Sequence, residues 1–134
     1  MSIPVGLDRL RAEIENFKFD PYLLTVSDDD CPHCTAVVVS WTDDELLMAA
    51  GNRTLANATA RPSISLLWSP ATRGGFSLIV DATVTATRGT GRGDNSITAR
   101  PTRAVLHRPA TPSEHDLAAG GSDCAPVFES GSRP

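Results

Sequence analysis

The residues Cys31-Pro32-His33-Cys34 form a C-x-x-C pair, a spacing used by thiol-disulfide oxidoreductases and by zinc sites. In a thiol oxidoreductase the pair stands at a helix N-terminus, where the dipole favours the reactive thiolate. Here the strand-like run TAVVVSW follows the pair, and the carboxylates of Asp28–Asp30 before it disfavour a thiolate. A structural zinc site needs four ligands, and only Cys124, His107 and His115 remain, in unrelated contexts. We therefore interpret the cysteines as small side chains in a hairpin and predict no metal site.

A second segment, MAAGNRTLANATARP, combines small residues with groups that bind anions. The small side chains of Ala49–Gly51 end a predicted strand and would let a flat ring approach its backbone. Asn52-Arg53-Thr54 leads into a predicted helix, which Asn52 or Thr54 can cap and at whose start free N–H groups and the positive end of the dipole favour an anion. Arg53 adds a fork of donors that matches a phosphate, and Thr54 and Asn57 add neutral hydrogen bonds. The segment thus indicates a site for a phosphorylated ring compound, although spacing alone also allows a surface arginine behind an ordinary helix cap.

Composition restricts the class of protein. The chain has 134 residues, which predicts one domain, and a formal net charge of −4, which disfavours a generic nucleic-acid or anionic-membrane binder. No run reaches the roughly 18 apolar residues that span a bilayer. The N-terminus becomes charged too early for a signal peptide, and three cysteines without framework spacing predict a reduced, cytoplasmic setting.

Hydrophobic periodicity predicts the elements that would position these residues. Leu7, Leu10, Ile14 and Phe17 have helical spacing and predict an N-terminal amphipathic helix of about three turns. A short helix of about two turns is predicted within NRTLANATARP, and Pro62 stops it. Six β-branched, apolar runs predict six strands: PYLLTVS, HCTAVVVSWT, ELLMAAG, SISLLWS, FSLIVDATVTATRGT and SITARPTRAVLHR.

This order of elements predicts a mainly β protein, a six-stranded antiparallel barrel with an N-terminal helix and one short helix after the third strand. The barrel domain is expected to span residues 1–109. Residues 110–134 are rich in Pro, Gly and Ser and are expected to form a loose C-terminal tail, which Val127 and Phe128 could dock onto an apolar surface.

The ordered set of motifs resembles the pyridoxamine 5'-phosphate oxidase-like family of flavin-binding split barrels. That family has a turn D-G-x-P-H before a valine-containing strand, and a strand ending A-T-G before x-R-K-x-x-N-L-x-x-x-P-x-V-S-L. This chain offers DCPHCTAVVVSW and MAAGNRTLANATARPSISL, with Arg53, Asn57, Pro62 and Ser65 in register. The similarity covers about residues 5–109. One departure stands out, because Thr54 occupies the position of the family's usual lysine and removes a positive charge from the phosphate site.

The resemblance implies a split barrel that binds FMN or the deazaflavin F420 and transfers a hydride to or from a small organic substrate. It implies homodimers with two cofactors at the subunit interface, and it identifies no catalytic acid or base. The implied cofactor-binding residues are Thr35, Ala36, Val37, Val38, Ala49, Ala50 and Gly51 along the ring, and Asn52, Arg53, Thr54 and Asn57 around the phosphate. Two alternatives stay open: a non-catalytic split barrel that binds a flavin, haem or another anionic ligand, and a thiol redox protein that uses Cys31 and Cys34.

Overall fold

A long antiparallel hairpin is the centre of the computed structural model, which describes residues 1–90 and 92–110. The elements in chain order are β1 (Ser2–Val5), a 3₁₀ turn (Leu7–Arg9), α1 (Leu10–Ile14), β2 (Tyr22–Val26), β3 (Pro32–Ala36), β4 (Val39–Thr42), β5 (Glu45–Ala49), α2 (Asn52–Ala60), β6 (Ser63–Trp68), β7 (Ser77–Arg88) and β8 (Ser96–His107). The strands pair in the order β3-β2-β6-β7-β8-β5-β4, and β1 pairs with β8. Every pairing is antiparallel.

The twelve-residue strands β7 and β8 are bent. One edge of β8 pairs with β7, and the opposite edge pairs with two other strands. Register shifts between Asp81 and Ala82 and between Val84 and Ala86 mark irregularities of the kind that bend and twist a strand. The first part of β8 pairs with β5, and its last part pairs with β1. The sheet therefore curls around a single core.

The barrel is split because its two edge strands follow each other in the chain. Within the described residues, β3 pairs only with β2 and β4 only with β5, so the path from β3 to β4 crosses from one end of the sheet to the other. The crossing consists of Val37, which is buried and donates its backbone N–H to the carbonyl of Pro21, and Val38, which is 70% exposed. Each edge strand keeps one side without a strand partner.

Buried apolar side chains from the inner face of the sheet form the core. They come from every strand between β2 and β8 except the edge strands β3 and β4. The main members are Leu23, Leu46, Met48, Ile64, Leu66, Trp68, Leu78, Val80, Ile97 and Ala99. In β2 and β6 buried and less buried residues alternate, which is the period-2 pattern of a strand with one face on the core.

The predicted fold class is confirmed, with eight strands instead of six. One additional strand, β1, is short, contains Pro4 and has three exposed residues, so it carries no alternating pattern. The other arises because the predicted strand over HCTAVVVSWT is two strands, β3 and β4, separated by the crossing at Val37 and Val38. Valine favours extended backbone on either side of a bend, so the run of valines hides it.

The predicted N-terminal helix is shorter than its periodicity suggests. It consists of the 3₁₀ turn and α1, and α-helical structure ends at Ile14. Backbone bonds from Asn16 to Glu13 and from Phe17 to Ile14 tighten the last turn into 3₁₀ geometry and close the helix. Phe17 still packs against the core from beyond the helix end. The second predicted helix is confirmed as α2, which ends just before Pro62.

Two further expectations concern the ends and the environment of the chain. Residues 111–134, which include most of the predicted tail with His115, Cys124, Val127 and Phe128, lie outside the described residues, so the boundary at residue 109 stays a prediction. No helix in the described part of the chain is long and apolar enough to cross a bilayer.

The packing of β6 gives a direct test of the core. Leu66 is 0% exposed in the middle of the sheet, so Leu66→Ala is expected to lower the free energy of unfolding by about 2–5 kcal/mol through lost burial and a residual cavity. Leu7→Ala makes the same chemical change at a side chain that is 48% exposed, and should cost much less. Urea denaturation of both variants measures the difference, and equal losses would contradict the assigned core.

Candidate functional site

The link between β5 and α2 forms an open corner of the barrel. β5 ends at Ala49, Ala50 bonds through its N–H to the carbonyl of Asn95, and α2 begins at Asn52. Between them, Gly51 has φ −73° and ψ 172°, an extended conformation open to any residue. A Cβ built on Gly51 would meet no atom within 4 Å, so glycine leaves free space beside the helix start.

This free space belongs to a cavity of about 430 Å³, which we call the corner cavity. Its lining residues come from β3, from the crossing after it, and from the corner between β5 and α2. They are His33, Thr35, Ala36, Val37, Ala49, Ala50, Gly51, Asn52, Arg53 and Thr54. The volume lies within the range of about 300–1,000 Å³ that is typical of small-molecule sites.

The structure brings together all the site residues predicted from the sequence except Val38 and Asn57. Val38 is largely exposed and does not line the corner cavity. Asn57 is buried on the inner side of α2, where its Nδ2 donates to Oγ1 of Thr25 at 3.1 Å. Its contact therefore ties α2 to β2. Thr54, at the position of the family's usual lysine, is 2% exposed and lines the cavity.

The start of α2 offers donors that no side chain takes up. Gly51 is the N-cap and makes no side-chain capping bond, and the first intrahelical bond runs from the N–H of Leu55 to the carbonyl of Gly51. The N–H groups of the first turn thus face the corner with the positive end of the helix dipole behind them. Arg53 is exposed and forms no ion pair within residues 1–90 and 92–110. A single negatively charged group bound here could accept hydrogen bonds from the backbone N–H groups of α2 and from the guanidinium of Arg53.

The buried side-chain amide of Asn95, which the sequence analysis missed, holds the corner between β5 and α2 in place. Asn95 is 3% exposed and closes the β7–β8 hairpin. Its Nδ2 donates to Oδ1 of Asn52 at 2.8 Å, and its carbonyl accepts the N–H of Ala50 at 3.1 Å. Asn52 therefore bonds to the neighbouring hairpin instead of capping its own helix. The sequence GRGDN indicated only a turn, because a contact across 43 positions leaves no local pattern.

Beyond Arg53 lies a second cavity of about 510 Å³, which we call the adjoining cavity. It shares His33 and Arg53 with the corner cavity, so these two side chains stand between the two spaces. The rest of its lining comes from the β2–β3 turn and from α2. These residues are Ser27, Asp28, Asp29, Cys31, Pro32, Ala56 and Asn57.

The cysteine pair lies in a hairpin, as the sequence predicted. Cys31 ends the β2–β3 turn, where its carbonyl accepts the N–H of Ser27, and Cys34 lies in the middle of β3 opposite Leu24. Both thiols are free and exposed. Three residues of extended chain separate their Cα atoms by about 10 Å, beyond the roughly 6.8 Å that a disulfide bridges. The geometry therefore gives no support to a thiol redox site, and within the described residues no three potential metal ligands cluster.

Two mycobacterial proteins are similar to this chain over most of its length. Both are uncharacterized proteins, one from Mycobacterium bovis (strain ATCC BAA-935 / AF2122/97) and one from Mycobacterium tuberculosis (strain CDC 1551 / Oshkosh). Each is 35% identical over 130 residues, which cover 87% of this chain and 89% of the relative. No family model matches the sequence.

Solved structures share the fold at low sequence identity. An F420 reductase superposes with a TM-score of 0.57 and 17% identity over 76% of this chain and 98% of its own. A candidate pyridoxamine 5'-phosphate oxidase from Listeria innocua superposes with a TM-score of 0.58 and 14% identity over 75% of this chain and 96% of its own. An FMN-binding protein from Syntrophomonas wolfei subsp. wolfei superposes with a TM-score of 0.59 and 13% identity over 76% of this chain and 86% of its own.

The chain belongs to the same family as the two mycobacterial proteins and has the split-barrel fold of these solved structures. The split-barrel fold that the resemblance implied is thereby confirmed. A split barrel does not by itself determine the ligand, since HutZ, a haem storage protein from Vibrio cholerae, also shares the fold, with a TM-score of 0.58 and 11% identity over 78% of this chain and 96% of its own. The ligand of this split barrel has to be argued from its own corner cavity.

The amide pair at the corner of the split barrel gives a stability prediction. Asn95→Ala should lower the free energy of unfolding by about 1–3 kcal/mol, because it removes the buried donor to Asn52. In a double-mutant cycle with Asn52→Ala, urea denaturation should give a coupling of about 0.5–1.5 kcal/mol. Asn16→Ala is the control, since Asn16 is exposed and bonds only within its own helix turn, to Glu13. Strict additivity of the Asn52 and Asn95 changes would show that the bond does not hold the corner.

Proposed function

We propose that this split barrel is an oxidoreductase that binds FMN or F420 in the corner cavity and catalyses hydride transfer with a small organic substrate. The observation that carries the proposal is that small residues, the start of α2 and Arg53, which forms no ion pair in the described part of the chain, line one cavity. Two structural neighbours, an F420 reductase and an FMN-binding protein, support the same ligand class. A cytoplasmic setting belongs to the proposal, because the exposed thiols of Cys31 and Cys34 stay reduced there.

The wall of the corner cavity fits a flat heterocycle. β3 is an edge strand, and its side away from β2 has backbone N–H and C=O groups without a strand partner in the described part of the chain. The donors and acceptors along the edge of a flavin ring are suited to such a strand. Opposite β3, the small side chains of Ala49 and Ala50 and the bare backbone of Gly51 leave room for the ring.

The start of α2 fits one phosphate. Arg53 would bind it through charge-assisted hydrogen bonds, and the N–H groups of the first turn would add neutral ones. Thr54 supplies no charge at the position of the family's usual lysine, so Arg53 carries the electrostatic attraction without a second cation from that position.

A bound flavin or deazaflavin would supply the hydride chemistry. The protein itself would bind the cofactor, orient it and shield it from water. The crossing at Val37 places a buried apolar side chain on the cavity wall, and the Asn52–Asn95 bond keeps the helix start fixed relative to β5. His33 and Thr35 alternate along β3 with the exposed Cys34 and are half-buried where they line the cavity.

We also propose that the functional unit is a homodimer that covers the outer apolar face of β2 and β3. On β2, Tyr22, Leu24 and Val26 are 44%, 36% and 36% exposed. Their cross-strand partners on β3 are Ala36, Cys34 and Pro32, which are also exposed, so the six side chains form one continuous apolar patch. The corner cavity opens beside the same strand β3, and a second copy on this face would cover its open side.

Removal of the guanidinium tests the phosphate site. Arg53→Ala is expected to weaken FMN binding by roughly 10- to 150-fold, since a hydrogen bond to a charged group contributes about 1.5–3 kcal/mol. Riboflavin has the same ring without the phosphate, and its affinity should change little. Quenching of flavin fluorescence measures both, with Arg73→Ala in the β6–β7 loop as a charge-matched control.

Equal losses of FMN and riboflavin in Arg53→Ala would remove the proposed anion site. Failure of the wild-type protein to bind FMN, riboflavin and F420 would overturn the cofactor assignment. Preferential binding of haem in the same titration would favour a binding protein instead of an oxidoreductase.

The homodimer is tested by its mass in solution. The chain has a mass of 14.2 kDa, and light scattering after size-exclusion chromatography should give twice this value for the wild type. Leu24→Glu puts a charge in the centre of the outer apolar face and should give a monomer. Leu7→Glu, at an exposed leucine outside that face, should remain dimeric. A monomeric wild type at high concentration, or a dimeric Leu24→Glu variant, would refute this interface.

A further inference from the structure

The end of the β7–β8 hairpin bonds to the residues on both sides of Gly51. The carbonyl of Asn95 accepts the N–H of Ala50 at 3.1 Å, and Nδ2 of Asn95 donates to Oδ1 of Asn52 at 2.8 Å. Gly51 itself has no side chain that could pack against a neighbour, and glycine is the least conformationally restricted residue. The two bonds from Asn95 therefore restrict the angle at which α2 leaves β5.

Asn95 keeps its buried position because Gly89 leaves room for it. Gly89 follows the last residue of β7 and has φ 143°, a backbone conformation that residues with a Cβ rarely adopt. A Cβ on Gly89 would overlap Oδ1 of Asn95 and lie 2.7 Å from its Cα, which no rotamer change could move away. Any other residue at position 89 would therefore displace Asn95 and, with it, both bonds to the corner.

The chemistry of the side chain at position 95 indicates a role beyond filling space. Asn95 is 3% exposed, so its amide has lost its hydration and depends on its hydrogen bonds. Apolar groups of the same shape in place of a bonded polar pair would be nearly neutral for stability. The amide adds direction, because its Nδ2 and the carbonyl of the same residue fix Asn52 and Ala50 relative to each other.

We propose that Asn95 and Gly89 are positioning residues for phosphate binding at the start of α2. The inference rests on the proposed function and adds two residues that do not line the corner cavity. A phosphate needs the first N–H groups of α2 and the guanidinium of Arg53 to converge on it, and hydrogen bonds weaken steeply when a donor is displaced or misaligned. By holding Ala50 and Asn52, the hairpin keeps these donors in place before the ligand arrives, which lowers the cost of binding.

Asn95→Ala tests the side-chain bond. The main-chain bond from Ala50 to residue 95 remains, so the wall beside the ring is kept and only the bond to Asn52 is lost. FMN affinity should fall roughly tenfold, whereas the affinity for riboflavin, which lacks the phosphate, should change by less than about threefold. Quenching of flavin fluorescence gives both affinities, and their ratio reports phosphate binding separately from ring binding.

Asn52→Ala removes the same bond from its exposed side, so it tests the inference even where the buried change at Asn95 unfolds the protein. It should lower the FMN-to-riboflavin affinity ratio by a similar factor. The double variant Asn52→Ala, Asn95→Ala should lose no more than either single variant, because both substitutions remove one interaction.

Gly89→Ala tests the room made for Asn95 without removing any hydrogen-bonding group. It should lower the FMN-to-riboflavin affinity ratio in the same direction as Asn95→Ala. Gly93→Ala is the matched control in the same hairpin, since Gly93 also has a positive φ, 90°, but a Cβ there would meet no atom within 4 Å. It should leave the ratio unchanged.

Leu66→Ala separates positioning from a general loss of stability. Leu66 is buried in β6 and lines neither the corner cavity nor the adjoining cavity. Its truncation should destabilise the protein at least as much as Asn95→Ala does. At a temperature where the variant is folded, the FMN-to-riboflavin affinity ratio should nevertheless equal that of the wild type.

The outcomes distinguish this inference from the proposed function. An unchanged affinity ratio in Asn95→Ala or in Gly89→Ala, or an equal decrease in Leu66→Ala, would overturn the positioning role and leave a flavin-type site intact. A wild-type protein that binds FMN no better than riboflavin would overturn the anion site and the inference together.

Discussion

The connection between β3 and β4 is the constraint on which the site depends. These strands are consecutive in the chain but lie at opposite ends of the sheet order, so the barrel has to remain open between them. Val37 closes the bottom of the opening with a buried side chain and a backbone bond to Pro21. Among the residues that the structure describes, the outer edge of β3 has no strand partner, and the corner between β5 and α2 faces it across the cavity. A closed barrel would have paired these groups within the sheet and left no place for a ligand.

The two cavities beside Arg53 differ in the charged residues that line them. The helix start and Arg53 favour one negative group, whereas the β2–β3 turn presents carboxylates a short way beyond it. The overall negative charge of the chain is thus compatible with an anion site, since the local arrangement of donors decides the preference.

Much of the site was predictable because its signals are local. Gly51, the residues that start α2, and Arg53 are adjacent in the chain, and one helix turn brings their groups to the same place. Pro62 marked the end of α2 for the same reason. The second wall at Thr35 to Val37 came from the family resemblance, because no local pattern in a strand tells which other strand end it faces.

The features that escaped prediction depend on distant contacts. Asn95 acts across the β7–β8 hairpin, and its role follows only from the register that brings it next to Asn52. Within HCTAVVVSWT the chain leaves one edge of the sheet and joins the other. Valine is favoured in both strands, so the sequence does not show where the first strand ends. β1 is a strand because it pairs with the edge of the last part of β8. Asp28 and Asp29 were noted only as unfavourable neighbours of a thiolate, and their position beside Arg53 depends on the packing of the hairpin against α2.

The central claim is that a phosphorylated flavin-type ring occupies the corner cavity with its anion at the start of α2. Backbone amide chemical shifts measured by NMR during an FMN titration test it most directly, because they report each N–H separately. The account predicts that the largest shifts fall on residues 35–37 and 49–54, with those of Asn52, Arg53 and Thr54 absent or much smaller when riboflavin replaces FMN. Shifts concentrated elsewhere, for example around Trp41 in β4 and Arg100 in β8, would contradict it.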